Sequence, residues 1–300
     1  MRVVSLGSGS SGNALLVEAG PKGRTKILVD AGFSGRTLIE RLHGAGISPK
    51  QLQGILITHE HTDHILALPT LVKQFGVPLV ADPRTMQAIE QIFASGYVNV
   101  DTDQSASLET LGDDQPSLSS YLSQPLQVGS RCILGDIEVI SFPVSHDAVA
   151  PCGYLLSAGG CRICVTIDSG EVTATMLEAM SQADLLVLES NHDRERLLRG
   201  PYPYSLKQRI LSPTGHLSND QAAEAVLRTW RGDGVRWLWL SHLSRTNNTP
   251  KLALNSMRTR LTAAKANLSQ VHISVLPPGV GGTWDSTQLW QSPSLWDMSG

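Results

Sequence analysis

Short apolar runs alternate along the chain with longer stretches whose apolar residues recur at helical spacing. The runs that predict strands are residues 54–58, 77–81, 136–141, 185–189 and 237–241. Residues 34–42, 83–94 and 250–264 have the pattern of helices, and Pro83 and Pro250 suit the first turn of the last two. Strands that alternate with helices in this way predict an α/β fold.

Two segments depart from this alternation and suggest how the chain is organised. Residues 101–130 are rich in Ser, Gln, Asp and Leu without a clear period, which predicts a surface insertion. After Pro277 and Pro278 the chain becomes polar and carries several tryptophans. We therefore expect a single domain over residues 1–278 and a C-terminal tail over 279–300, whose tryptophans either dock on the domain or stay exposed.

Composition and charge exclude several classes of protein. Hydrophobic residues make up 41% and charged residues 17% of the 300 residues, as in an ordinary globular enzyme. No secretory signal and no membrane-spanning run is apparent, and four scattered cysteines do not suggest a disulfide framework, so we expect a cytoplasmic protein with reduced thiols. The net charge of -3 gives no overall attraction to nucleic acid, but residues 194–212 form a basic stretch.

The densest candidate chemistry follows the predicted strand at 54–58. The heptad Thr-His-Glu-His-Thr-Asp-His places His59, His61, Asp63 and His64 within six residues. Imidazole and carboxylate groups are ligands that suit Zn²⁺ or Mn²⁺, and a tight loop directs alternate side chains toward adjacent ions. The spacing therefore predicts a metal site.

This heptad resembles the metal-binding signature of the metallo-β-lactamase superfamily, and further motifs of that family follow in its order. The resemblance implies an αβ/βα four-layer sandwich that holds two divalent ions, Zn or Mn, with a metal-bridged hydroxide as nucleophile. It implies a first ion on His59, His61 and His146, a second on Asp63, His64 and His242, and a bridging ligand in Asp168.

Segments 8–13, 145–147, 189–193, 202–210, 215–219 and 243–248 together resemble the YycJ (WalJ) branch of this superfamily. That resemblance implies a metal-dependent DNA exonuclease. Gly215-His216-Leu217-Ser218 is also similar to a motif of the tRNA 3′-processing endonucleases, in which the histidine assists at the scissile phosphate. We therefore take Asp63, His216 and Glu189 as catalytic candidates, although a histidine beside a helix start also bonds to backbone in many proteins.

Contact with the nucleic acid is expected through its backbone rather than its bases. The substrate-binding candidates are Asn13, Lys207, Arg209, Ser218 and Asn219. A strand-to-strand turn would explain Asn13 equally well, and a solvated surface would explain Lys207 and Arg209. No basic stripe interleaved with aromatic residues is present, which argues against base-specific readout.

Three other functions are compatible with the same ligands. A small-molecule cyclic phosphodiesterase is the nearest alternative, and an ester or lactone hydrolase is a second. A non-catalytic metal-bound scaffold is the third, although such a scaffold typically loses ligands and none is missing here. Fold alone does not choose among them, because function depends on the site.

Overall fold

The computed structural model describes residues 1–95, 118–232 and 234–290. Within these residues the strands form two seven-stranded sheets that pack face to face. The first sheet has, in spatial order, β14 (Thr283–Asp285), β1 (Arg2–Gly7), β2 (Ala14–Ala19), β3 (Thr25–Val29), β4 (Gly54–Leu56), β5 (Leu79–Ala81) and β6 (Leu122–Pro125). The second has β13 (Val271–Val275), β12 (Arg236–Ser241), β11 (Leu185–Glu189), β10 (Cys161–Thr166), β9 (Cys152–Ala158), β8 (Ile137–Pro143) and β7 (Arg131–Leu134).

Helices connect the strands of both sheets. In the described residues they are α1 (Gly35–Gly44), α2 (Thr62–Ile65), α3 (Leu68–Phe75), α4 (Pro83–Ser95), α5 (Ala174–Ser181), α6 (Arg194–Arg199), α7 (Tyr204–Leu211), α8 (Asn219–Arg228) and α9 (Pro250–Ala263). The helices predicted at 34–42, 83–94 and 250–264 are therefore confirmed. Ser34 caps α1 by accepting a hydrogen bond from the Thr37 amide, as the sequence pattern suggests.

Three apolar cores explain the layered arrangement. Val187 of β11 contributes to the core between the two sheets, whereas Leu186 and Leu188 of the same strand face α5, α8 and α9. Another core lies between the first sheet and α1, α3 and α4. Because central strands are buried on both faces, they appear in sequence as continuous apolar runs rather than as alternating ones. The layers are helix, sheet, sheet and helix, which confirms the predicted αβ/βα sandwich.

The two segments that depart from the alternating pattern, 101–130 and 279–300, each contribute a strand to the first sheet. Part of the predicted insertion, 101–117, lies outside the described residues, but residues 122–125 form β6 at the edge of the first sheet. Past the predicted boundary at 278, β14 pairs with β1, and Trp284 is fully buried opposite Val3. Burial of this indole keeps the chain in the fold to at least residue 285, while residues 291–300 lie outside the described part.

The strand directions bring several loops to one edge of the sandwich. β3 and β4 are parallel in the first sheet, and β10, β11 and β12 are parallel in the second. β8 points the same way as β10, because β9 is antiparallel to both. The Tyr154 hydroxyl of β9 donates a 2.6 Å hydrogen bond to the Ile57 carbonyl just after β4, which ties the two sheets together near this edge.

None of the helices in the described residues has the length and the apolar composition needed to cross a membrane. All four cysteines are buried and free.

Candidate metal centre and active-site cleft

The residues that follow these strands converge on one site. Asp30 comes directly after β3, the heptad 58–64 begins shortly after β4, and His146, Asp168 and His242 follow β8, β10 and β12. In Asp30, Asp168 and His242 the backbone has a positive φ of 61°, 61° and 53°. Such a conformation costs about 1–3 kcal/mol for a non-glycine residue and is held by the surrounding structure. This backbone conformation at the ends of three strands directs the three side chains toward a common site.

Three imidazole nitrogens meet in a first cluster. His61 Nδ1 lies 3.1 Å from His59 Nε2 and 3.2 Å from His146 Nε2. Tetrahedral Zn²⁺ with bonds of about 2.0–2.1 Å to nitrogen keeps its ligand atoms roughly 3.3 Å apart. The observed separations are therefore those of a facial set of three ligands on one ion.

The second cluster combines two carboxylates with two imidazoles. Asp63 Oδ2 lies 3.2 Å from His242 Nε2 and 3.6 Å from His64 Nε2, which in turn lies 2.9 Å from Asp168 Oδ2. Asp168 Oδ2 also approaches His59 Nε2 of the first cluster at 3.5 Å. Asp168 therefore stands between the two clusters, where a bridging ligand would be needed.

Most of these histidines are oriented through their other nitrogen. His64 Nδ1 lies 2.8 Å from the buried Asp30 carboxylate, and His59 Nδ1 lies 3.0 Å from the Thr58 hydroxyl. His146 Nδ1 is 3.0 Å from the Gly215 carbonyl. Partners of this kind fix the ring and raise the basicity of the nitrogen that faces the metal.

The electrostatics of the clusters favour cations. Burial and the neighbouring imidazoles hold the pKa of His59 well below its usual value, so its nitrogen is available as a ligand. Burial also lowers the pKa of His64, but the carboxylates of Asp30, Asp63 and Asp168 outweigh this effect and raise that pKa well above its usual value. The negative potential that favours an imidazolium ion also favours a divalent cation.

These observations make the residues fit a metal centre. The donor set is imidazole and carboxylate, and within each cluster the ligand atoms lie within 4.8 Å of one another. Asp168 is buried, and its Oδ1 lies 2.6 Å from His242 Nδ1 and 3.5 Å from His216 Nδ1. A buried carboxylate in such a site is stabilised by a cation. The seven ligands implied by the sequence are therefore brought together, and the centre is suited to divalent metal ions.

Glu189 and His216 form a pair beside the second cluster. Glu189 is fully buried, and its Oε2 accepts hydrogen bonds from the amides of Ser169 and Leu217 at 2.9 and 3.2 Å. Its Oε1 lies 2.7 Å from His216 Nδ1. Burial would lower the pKa of His216, but the Glu189 and Asp168 carboxylates raise it to about 10. The pair leaves His216 Nε2 available to a bound ligand.

A cleft of about 650 Å³ opens onto this centre. Its lining includes His61, Asp63, Asp168, His216 and His242. Ser10 and Ser11 of the loop between β1 and β2 also line it, and Ser11 accepts a 2.7 Å hydrogen bond from Arg245. The metal ligands are thus accessible to a substrate of moderate size.

Of the predicted substrate-binding residues, Arg209 lines the cleft. Its Nε donates a 2.7 Å hydrogen bond to the Asp147 carboxylate, which is also in the lining. Asn13 is buried behind the metal ligands, where its amide nitrogen lies 3.3 Å from Asp63 Oδ2 and 3.2 Å from His64 Nε2. This geometry gives Asn13 the task of orienting two ligands rather than a direct contact with substrate.

The other three side chains predicted to bind substrate each have a partner within the protein, and their contact with substrate stays a prediction. The Lys207 ammonium donates to the carbonyls of Leu198 and Gly200 at the end of α6. Ser218 caps α8 in a capping box with Gln221. Asn219 is buried and accepts a 2.7 Å hydrogen bond from Ser190. We therefore assign these three side chains structural roles.

Asp30 and Asp147 also belong to the site, although neither was among the residues predicted from the sequence. Asp30 ends an apolar run of β3, which is the type of position from which the other ligands come, but its partner His64 is 34 residues away. Asp147 directly follows His146, and its Oδ1 lies 3.4 Å from His146 Nε2. Adjacency to a ligand was a signal for Asp147, whereas its pairing with Arg209 required the fold.

Comparison with known proteins agrees with this geometry. Residues 25–242 match the family model of the beta-lactamase superfamily domain. The chain is 39% identical over 259 residues to exodeoxyribonuclease WalJ of Streptococcus pneumoniae, covering 86% of this chain and 87% of that protein. It is 37% identical over 252 residues to exodeoxyribonuclease YycJ of Bacillus anthracis, covering 84% and 86%.

A solved structure shows the same fold at lower identity. The metallo-β-lactamase fold protein YhfI of Bacillus subtilis superposes with a TM-score of 0.63 at 18% identity, covering 95% of this chain and 99% of that one. The two sheets, the converging ligands and the relatives that align over most of the chain all indicate one family. The chain belongs to the metallo-β-lactamase superfamily, in the branch that includes WalJ and YycJ.

Proposed function

We propose that this protein is a metal-dependent nuclease that removes nucleotides from an end of DNA. The observation that carries the proposal is the convergence of His59, His61, His146, Asp63, His64, Asp168 and His242 on one site. Of these, His61, Asp63, Asp168 and His242 line an open cleft. The relatives that align over most of the chain, and whose names specify exodeoxyribonuclease activity, support the same reaction class.

The proposed centre holds two divalent ions, either Zn²⁺ or Mn²⁺. The three histidines of the first cluster would hold one ion, Asp63, His64 and His242 would hold the other, and Asp168 would contact both. When bound, such a pair activates water as a nucleophile near neutral pH and stabilises negative charge on the phosphoryl oxygens.

His216 is proposed to assist the leaving group. With Nδ1 held by Glu189, its Nε2 is the ring atom that donates a hydrogen bond to O3′ of the departing nucleotide. As the water oxygen joins phosphorus and the water gives up a proton to solvent, the P–O3′ bond breaks. The leaving oxygen takes a proton from His216, which regains one from solvent. Glu189 orients the ring and supports its charge, because the carboxylate is itself anchored by two backbone amides.

Recognition of the DNA is proposed to depend on charge and not on base sequence. Arg209 and Arg245 stand at the rim of the cleft, each bonded to a residue of its lining. Guanidinium groups in this position contact backbone phosphates, which fix the register of the strand without sequence information. The Asp147 carboxylate competes with phosphate for Arg209 and keeps its side chain in place before substrate arrives.

The test is hydrolysis of end-labelled single- and double-stranded DNA and RNA with the purified protein and added Zn²⁺ or Mn²⁺. Bis-p-nitrophenyl phosphate, a cyclic sugar phosphate and a lactone are assayed in parallel. Progressive shortening of DNA from one end is expected. Preferential turnover of the cyclic phosphate or the lactone, with DNA left intact, would contradict the proposal.

A further inference from the structure

The wall of the cleft formed by α7 is apolar, although the reaction takes place on a charged phosphodiester. Tyr202 lies just before the helix, and Leu206 and Ile210 lie within it. Each is four residues from the next in the sequence, and all three line the cleft. A spacing of four places side chains on the same side of a helix. Tyr202 and Leu206 are half-buried, so part of their apolar surface is open to a ligand.

The other half of the sandwich supplies apolar lining as well. Leu66, between α2 and α3, and Ile92 of α4 are both half-buried and both line the cleft. These two residues belong to the half built on the first sheet, whereas α7 follows β11 of the second sheet. Apolar groups from both halves therefore flank a space that is continuous with the metal centre.

The chemistry of a nucleotide suggests what this space accepts. Phosphate and sugar are polar and gain little from leucine or isoleucine, whereas a base presents flat apolar faces that stack on tyrosine. Arg209 lies one residue from Ile210 on the same helix and reaches the rim, where a phosphate attached to such a base would be. The volume of about 650 Å³ is in the range of sites that enclose a small organic ligand.

We propose that this apolar slot, formed by Tyr202, Leu206, Ile210, Leu66 and Ile92, binds the base of the terminal nucleotide of the DNA strand. The inference rests on the proposed nuclease function and specifies its substrate. A base held between the two walls is not paired with a complementary strand. The terminal nucleotide is therefore unpaired when it is bound, whether the end is single-stranded or opens from a duplex. Any base is accepted, because apolar stacking does not depend on base identity.

The inference is tested with two single-stranded oligonucleotides that differ only at the terminal nucleotide, which is normal in one and abasic in the other. The wild-type protein is expected to favour the normal end by about tenfold or more in kcat/KM, as loss of a stacked base costs on that order. In Tyr202→Ala and Leu206→Ala this ratio should fall toward one. Two variants are used because either residue also contributes to packing.

Tyr204→Ala is the matched control. Tyr204 begins α7 two residues from Tyr202 but is 77% exposed and is not in the cleft lining, so its removal should keep the wild-type ratio. A wild-type ratio near one with intact DNA hydrolysis would overturn the slot and leave the nuclease function standing. Failure of the wild-type protein to hydrolyse either oligonucleotide, both as a single strand and annealed to its complement, would overturn the nuclease function itself.

Discussion

At the scale of single residues, the centre depends on groups that hold the ligands as much as on the ligands. His64 faces Asp63 and Asp168 through Nε2 and is oriented by Asp30 through Nδ1. Asp30 also accepts hydrogen bonds from the amide and the hydroxyl of Thr58, at the start of the heptad. One buried carboxylate thus sets both the loop and a metal-binding ring.

Asp30→Asn tests this dependence. Asparagine tolerates the positive φ at this position, so the substitution removes the charge and leaves the backbone in place. Metal affinity, measured by competition with a chelator, should fall about 10–100-fold. Asp82→Asn is the control, since Asp82 is a buried aspartate at the end of β5 that bonds Arg84 and Val128 instead. Unchanged affinity in Asp30→Asn would show that the carboxylate does not support the site.

The role of His216 has a different signature. Removal of a well-placed proton donor typically costs 10²–10⁴-fold in rate, so His216→Ala should lower kcat on DNA by about that factor while metal binding persists. The loss should be smaller on bis-p-nitrophenyl phosphate, because p-nitrophenolate leaves without protonation. Equal losses on both substrates would exclude acid assistance, and a wild-type rate on DNA would leave His216 a structural residue.

At the scale of elements, the start of α8 determines where the His216 loop lies. The Ser218 hydroxyl accepts a 3.3 Å hydrogen bond from the Gln221 amide, and Gln221 Oε1 accepts one of 2.9 Å from the Ser218 amide. Asn219, at the first position of the helix, is tied through Asn248 to the loop after β12. The helix start and the strand exit that carries His242 are therefore joined by buried polar groups.

Ser218→Ala separates a capping role from a substrate-binding role. Loss of the cap should lower the free energy of unfolding by about 1 kcal/mol, as measured by urea denaturation. KM for DNA should stay at the wild-type value, and Ser218→Thr, which keeps a hydroxyl cap, should recover most of the stability. A raised KM with unaltered unfolding would instead support the substrate contact suggested by the sequence.

Prediction from the sequence succeeded where the information is local. Apolar runs identify the strands because burial on both faces requires them, and the heptad identifies its metal site because four ligands lie within six residues. The direction in which a side chain points depends on the rest of the fold and is not encoded by its immediate neighbours in the sequence. Ser218 and Asn219 have the types expected at a phosphate site, yet both turn into the protein. Trp284 could not be placed, because its pairing with β1 joins residues at opposite ends of the chain.

At the scale of the whole molecule, the metal centre joins the two halves of the sandwich. His59, His61, Asp63 and His64 follow a strand of the first sheet, whereas His146, Asp168 and His242 follow strands of the second. Ions bound between them would link the sheets in the folded state and would have no equivalent site in the unfolded chain. Binding to the folded state alone contributes to stability by mass action.

Metal removal should therefore destabilise the fold. At a free metal concentration of about one hundred times Kd, binding of each ion adds roughly 2.7 kcal/mol to the free energy of unfolding. Urea denaturation of protein treated with EDTA and then dialysed should show a lower midpoint than the same protein with Zn²⁺ restored. Asp168→Ala should show much less of this metal-dependent increase. A urea denaturation midpoint that does not change when metal is removed or restored would indicate that the candidate metal ligands form only a structural polar network.

The most direct test of the central claim is a titration of metal-depleted protein with Zn²⁺ or Mn²⁺, in which cleavage of end-labelled single-stranded DNA is followed. Depleted protein should be inactive, and the rate should rise to a plateau at two ions per chain. Asp168→Ala, which lacks the carboxylate between the clusters, should stay nearly inactive throughout the titration. Full cleavage without metal, or wild-type rates in Asp168→Ala, would contradict a dinuclear nuclease centre at this site.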